Sequence, residues 1–248
     1  MENMFELVKK NIPNGKDIIV ETIDAITSGK NTAYIKDNFS EMVVQTSEQA
    51  YETYQKKEKS AWKHAIKEYV ENELDEYDKE STISFLQENF DTFDDFFLSL
   101  TQSRKSRAGS GFEDIIKILF KKLKYPFSEQ CVIDGKPDFI LPSKEYYDRN
   151  PPDCIIFTAK RTVRERWRQI VTEGTRGRGF FLATLDDKIS SKQLKDMLAN
   201  RIYLVVPKDV KNTNEEYTKA VNVIIFEEFF TDHLDPAMER WKKARVIP

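Results

Sequence analysis

The sequence predicts an α/β protein: a mixed central sheet flanked by helices, with a helical N-terminal elaboration. Three observations carry this. Across residues 101–248, short apolar runs of strand length alternate with segments of helical spacing, an alternation that packs helices onto the faces of a sheet. Within "QCVIDGKPDFIL" the Asp134-Gly135 dipeptide supplies the positive φ of a tight hairpin, so part of the sheet is antiparallel. The first hundred residues hold few strand signals and long stretches of helical spacing.

The elements follow in chain order. "FELVKKN" reads as a helix. In "SAWKHAIKEYVENEL" the residues Ala61, Trp62, Ala65, Ile66, Tyr69, Val70 and Leu74 fall at i, i+3, i+4 intervals, which stacks them on one helix face. "STISFLQENFDTFDDFFLSL" repeats the spacing. The polar, Gly- and Ser-containing stretch 101–111 reads as a loop, and Ile115, Ile116, Leu119, Phe120 and Leu123 then mark an amphipathic helix. The hairpin comes next, followed by a loop, "PSKEYYDRNPPD". A buried strand "CIIFTAK", a helix over about 163–173, a strand "FFLATL", a helix capped by Ser190 or Ser191, a strand "IYLVVP", a strand "NVIIF" and a last helical segment complete the chain. No Pro/Gly-rich linker interrupts it. Residues 1–248 therefore read as a single domain, with 1–100 as its helical N-terminal part and 101–248 as its α/β core.

Composition narrows the function. Two cysteines, Cys131 and Cys154, are too few for a disulfide framework, and His64 and His233 form no ligand spacing with them; a zinc site and a Ser/His/Asp triad are both disfavoured. No apolar run approaches the roughly 20 residues that span a bilayer, and "MENMFELVKKN" lacks the apolar core of a signal peptide; the expected location is cytoplasmic, without a membrane partner. The net charge of −3 hides an asymmetry: residues 1–100 carry 11 Lys+Arg against 21 Asp+Glu, and the remainder carries 28 against 21. A polyanion would bind the second part, because the local field over a groove attracts phosphates.

The chemistry lies in two strand ends. Asp138 opens the strand in "PDFIL" and Lys160 closes "FTAK"; if those strands pair, both side chains reach one place. Pro-Asp alone is equally a turn signal, and the lysine ending an apolar strand is what points to chemistry. In the widespread nuclease pattern a second acid stands two residues before the lysine, where this chain has Thr158. One carboxylate holds Mg²⁺ poorly, whereas two fix the ion against a phosphate. Glu173 is the expected substitute. It ends the next helix beside Gly174, where the macrodipole disfavours a negative charge by about 0.3–1 kcal/mol, and a cation opposite it would account for that placement. Its other reading is a surface glutamate. Arg164, Glu165 and Arg166 occupy the first turn of that helix. Arginines bind the guanine O6/N7 edge in bidentate fashion and a glutamate accepts from cytosine N4, at about 1–3 kcal/mol of discrimination per good contact. The trio suits adjacent G·C pairs, and its alternative is an internal salt-bridge network.

"SRKSRAGSGFE", "GKPDFILPS" and "TAKRTVRERWRQIVTE", with "LATLDDKISSKQLKDM" and "LVVP", together resemble the EcoRII, PspGI and SsoII group of type II restriction endonucleases, within the PD-(D/E)xK superfamily. The resemblance runs closely over about 101–207 and poorly over the first hundred residues. It implies a restriction-endonuclease-like fold, and Mg²⁺-dependent cleavage of double-stranded DNA at sites of the CCNGG or CCWGG kind. It implies Asp138 and Glu173 as metal-binding carboxylates, Lys160 beside the attacking water, and Glu113 as a further acid near the metal. Arg164, Glu165 and Arg166 would read the outer C·G pairs, and Gln102 would lie near the centre of the site. Members act as homodimers or larger assemblies, tetramers included, and some extrude the central nucleotides. The N-terminal part would then serve DNA contact and dimerisation. Trp62 is the flat surface on which an extruded base could stack, and its spacing with Ile66 and Tyr69 equally supports a place in the core. Lys56, Lys57 and Lys59 either follow phosphates or are solvated.

Two competing readings use the same residues. A structure-selective repair nuclease would turn Arg164, Glu165 and Arg166 onto phosphates, and a catalytically inactive DNA-binding module would keep the basic patch without the chemistry. The intact set of Asp138, Lys160 and Glu173 favours the enzyme.

Overall fold

The computed structural model describes residues 4–73, 78–133, 136–163 and 179–248. Six helices come first: α1 (Met4–Asn11), α2 (Gly15–Thr27), α3 (Thr32–Asp37), α4 (Phe39–Glu73), α5 (Lys79–Glu88) and α6 (Phe90–Lys122). Their starts are set by short polar side chains that accept from otherwise orphaned backbone N–H groups. Asn14 accepts from Lys16 N at 3.1 Å, Asn31 from Tyr34 N at 2.8 Å and Asp78 from Ser81 N at 2.8 Å.

The 101–111 stretch is not the expected loop but the middle of α6. Gly and Ser are weak helix formers, a glycine costing about 1 kcal/mol relative to alanine. Burial on both sides outweighs that. Phe96 and Leu100 enter the apolar cluster of the N-terminal helices, and Phe112, Ile115, Ile116, Leu119 and Phe120 enter the main core, each worth about 1.5–3 kcal/mol.

The sheet has six strands in the order β1 (Ser128–Glu129), β2 (Phe139–Leu141), β3 (Ile155–Ala159), β4 (Gly179–Ala183), β5 (Ile202–Val206) and β6 (Val223–Ile225). β1, β2 and β3 pair antiparallel, and β3 to β6 pair parallel. The antiparallel pairing expected here is present, but not as a tight hairpin: the arms are 128–129 and 139–141, the first lies before "QCVIDGKPDFIL", residues 131–133 and 136–138 are not strand, and Asp134 and Gly135 lie outside the described residues. The segment 142–153 contains a short helix, α7 (Lys144–Arg149), where a loop was expected. Ser143 caps it, accepting from Tyr146 N at 3.2 Å, and Lys144 pairs with Asp148 one turn on.

β3 and β4 are buried along their whole length, and their side chains alternate between two cores as the pleat requires. Ile155, Phe157, Ala159, Phe181 and Ala183 pack with α2, α4, α6 and the C-terminal helical segment. Ile156, Phe180 and Leu182 face α8 (Ser191–Ala199) and Tyr217 of α9 (Glu215–Lys219). Ser190 caps α8 in a reciprocal capping box with Gln193. After β6 the chain runs as a continuous helical segment, π-wound over Phe229–Leu234, which buries Phe229, Phe230, Leu234 and Trp241. No described helix is long and apolar enough to cross a membrane.

Candidate active site

The register of β2 against β3 assembles the site. Phe139 stands opposite Phe157, so the residue before one and the residue after the other are neighbours: Asp138 meets Thr158. Asp138 is 6% exposed, and its carboxylate accepts from Thr158 Oγ1 at 2.7 Å and from Ala159 N at 2.8 Å. Lys160, one residue beyond β3, reaches back so that its Nζ lies 3.1 Å from Oδ1 and 3.0 Å from Oδ2 of Asp138. A nearly buried carboxylate is tolerated here because each oxygen is hydrogen-bonded and a cation adjoins it. Thr158, which replaces the usual second acid, therefore serves as a donor that orients the first.

Glu113 comes to the same place from α6. Gln130 Nε2 donates to its carboxylate at 3.3 Å, and Gln130 N in turn donates to Asp138 O at 3.0 Å. Burial raises the pKa of Glu113 above the ordinary carboxylate range, and the like charge of Asp138 adds to that, while the Gln130 hydrogen bond and Lys160 oppose it. Two carboxylates that feel each other's charge suit a hard divalent cation, which takes oxygen ligands and relieves their repulsion. Among the described residues no three acidic, His or Cys side chains group tightly enough to hold a metal. Glu173, the other expected ligand, lies outside the described residues, as do Arg164, Glu165 and Arg166.

Gln102 is exposed on α6. It precedes Glu113 by eleven residues, three helical turns plus about 20° on a regular helix, so the two emerge from nearly one face. Trp62 lies inside the N-terminal helices at 7% exposure. Its ring centroid is 4.0 Å from that of Phe96 and 6.3 Å, near parallel, from that of Phe97. This is the core placement that its spacing allowed. Lys56, Lys57 and Lys59 are exposed.

Sequence reasoning missed Glu58. It is fully buried on α4, and Arg104 of α6 binds it through Nη2 at 2.6 Å and Nε at 2.7 Å. The signal was available: Glu58 precedes Ala61, Trp62 and Ala65 by three, four and seven residues, which puts a carboxylate on the apolar face of the helix. Arg104 also lines, with Arg161 just past β3, an apolar cleft between α2, α4 and α6.

Comparison with known proteins agrees with this geometry. The EcoRII C-terminal family model matches residues 58–230. The type II restriction enzyme SsoII of Shigella sonnei is 29% identical over 231 residues, spanning 86% of this chain and 73% of that protein. The type II restriction enzyme EcoRII of Escherichia coli is 30% identical over 185 residues, covering 64% of this chain and 45% of its own length. Among solved structures, metal-depleted Ecl18kI in complex with uncleaved DNA superposes with a TM-score of 0.82 at 27% identity, over 99% of this chain and 84% of that one. The PspGI–substrate DNA complex gives 0.72 at 22%, over 96% and 98%. Likeness thus extends across the N-terminal helices, well beyond the 101–207 region in which it was legible from motifs. With the family model matched across both the helical part and the sheet, the chain belongs to the EcoRII C-terminal family and has the fold of the PD-(D/E)xK restriction endonucleases.

Proposed function

We propose that this protein is a type II restriction endonuclease that hydrolyses double-stranded DNA, with Mg²⁺, at a short palindromic or pseudopalindromic site with CC/GG outer pairs. The observation that carries the reading is the pairing of Asp138 and Lys160 at the adjoining ends of β2 and β3, with Glu113 beside them. Family membership and the DNA-bound state of the solved neighbours support it.

Asp138 and Glu173 would hold the metal, with Glu113 next to them. Bound there, Mg²⁺ supplies Lewis-acid polarisation of the phosphate and acidifies a water. The chain's own residues do the remainder. Thr158 and the Ala159 N–H fix the Asp138 carboxylate. Lys160, held at the rim of the site, orients the attacking water and offsets the charge that grows on the phosphate oxygens. In-line attack forms the new P–O bond and breaks the P–O3′ bond. The 3′ oxygen takes a proton, leaving a 5′-phosphate and a 3′-hydroxyl. Arg164, Glu165 and Arg166 would read the outer pairs, Gln102 would approach the centre, and a homodimer would present the set twice. Residues 1–248 then act as one domain, the helical part serving DNA contact and dimerisation, in the cytoplasm.

The test is cleavage of plasmid DNA with Mg²⁺ and with EDTA by the wild type, Asp138→Ala and Lys160→Ala. The wild type should cut only with metal, and both variants should shift a duplex on a gel without cutting it. Undiminished cutting by either variant would remove the catalytic assignment. A wild type that binds and never cuts would favour a DNA-binding module.

A further inference from the structure

We infer that Asp186 is a positioning residue for base reading, tying the segment that carries Arg164, Glu165 and Arg166 to the sheet. This rests on the reading of those three residues given above. The chain leaves β3 under close control. Lys160 N continues the ladder onto Ala183 O at 2.9 Å. Arg161 O then accepts from Thr184 Oγ1 at 3.1 Å, and that same hydroxyl accepts from Asp186 N at 3.0 Å. Finally Val163 N donates to Asp186 Oδ2 at 2.9 Å. Arg164 follows Val163 directly in the chain.

An aspartate after a strand often makes a local turn, and Asp186 does so with one oxygen, Oδ1 accepting from Lys188 N at 3.0 Å. Its other oxygen crosses to a different part of the chain, which a turn does not require. The loop that carries it is itself held from the core. Tyr217, fully buried, donates its hydroxyl to Asp186 O at 2.6 Å and accepts from Ile189 N at 3.2 Å. Asn214 Nδ2 donates to Asp187 O at 2.8 Å. Asp186 is therefore a bracket between an anchored loop and the last backbone N–H before the first reading arginine. Bidentate base contacts depend on placement to within a fraction of an ångström, so loosening the bracket should cost discrimination more than stability.

The experiment compares kcat/KM on a cognate duplex and on duplexes with one outer C·G pair exchanged, for the wild type, Asp186→Ala, Asp186→Asn and Asn214→Ala, with Tm for each. The expected result is a cognate preference reduced about tenfold or more in Asp186→Ala. Asp186→Asn, which keeps one acceptor oxygen for Val163 N, should be intermediate. Asn214→Ala, which loosens the same loop but leaves the Asp186–Val163 bond, should lower Tm and reduce the preference clearly less than Asp186→Ala does. A wild-type preference in Asp186→Ala would overturn the inference, as would an equal loss in Asn214→Ala at matched Tm. Should Asp186→Ala fail to fold, Asp186→Asn against Asn214→Ala decides by the same criterion. A wild type indifferent to the outer pairs would overturn the reading of Arg164, Glu165 and Arg166 itself, and the wild-type duplexes alone report that.

Discussion

Thr158→Val isolates the hydrogen bond that orients the candidate metal ligand. Valine keeps the shape of threonine and removes only the hydroxyl, which lies 2.7 Å from Asp138 Oδ2. Thr158 is fully buried, so no water replaces the lost donor. A hydrogen bond to a charged group is worth about 1.5–3 kcal/mol net. For a chain of this length, at about 2–4 °C per kcal/mol, Tm should fall by roughly 3–12 °C. The loss stays within that range because the same oxygen keeps Ala159 N at 2.8 Å and Lys160 Nζ at 3.0 Å. The assay is thermal unfolding followed by circular dichroism, repeated in an Asp138→Ala background. There the Thr158 hydroxyl is buried without its acceptor, and Thr158→Val should be neutral or stabilising. An equal destabilisation in both backgrounds would mean that packing, not the bond to Asp138, sets the cost, and the account of Thr158 would fail.

Two further outcomes follow from the same geometry. Glu113 has a raised pKa, so its ionisation opposes folding: its contribution is fully favourable below the unfolded value and is lost as pH rises through the folded one. Glu113→Gln should therefore be more stable than the wild type at neutral pH without metal, with the gain vanishing at acid pH, and should bind Mg²⁺ more weakly by titration calorimetry; a stability gain that persisted at acid pH would contradict this. Arg104→Ala withdraws one cation from buried Glu58 and should cost about 1–3 kcal/mol in chemical denaturation, part of it recovered by adding Glu58→Gln; a change under about 0.5 kcal/mol would show the pair to be incidental.

The parts of the fold that were legible in the sequence are those that local chemistry decides. The strands around Phe157, Phe181 and Leu204, the Ser190 cap and the placement of Asp138 and Lys160 at strand ends all follow from apolar runs and capping residues within a few positions. The helix through 101–111 was not legible, because its weak formers are carried by burial at Phe96 and Phe112, on either side of them. The short helix 144–149 was hidden by surrounding turn residues, although Ser143 marked its start. Thr158 read as the lack of an acid, and only the β2–β3 register reveals it as a donor to Asp138. The bond from Val163 to Asp186 spans 23 residues, and no periodicity announces a contact of that kind.

The most direct test of the central claim is to digest a fully sequenced plasmid with the protein and Mg²⁺ and to sequence the fragment ends. Discrete fragments whose 5′-phosphorylated ends share a CC/GG core are expected, and the same map identifies the central position. A smear without a common sequence would contradict the claim and would point to a nuclease that does not read bases.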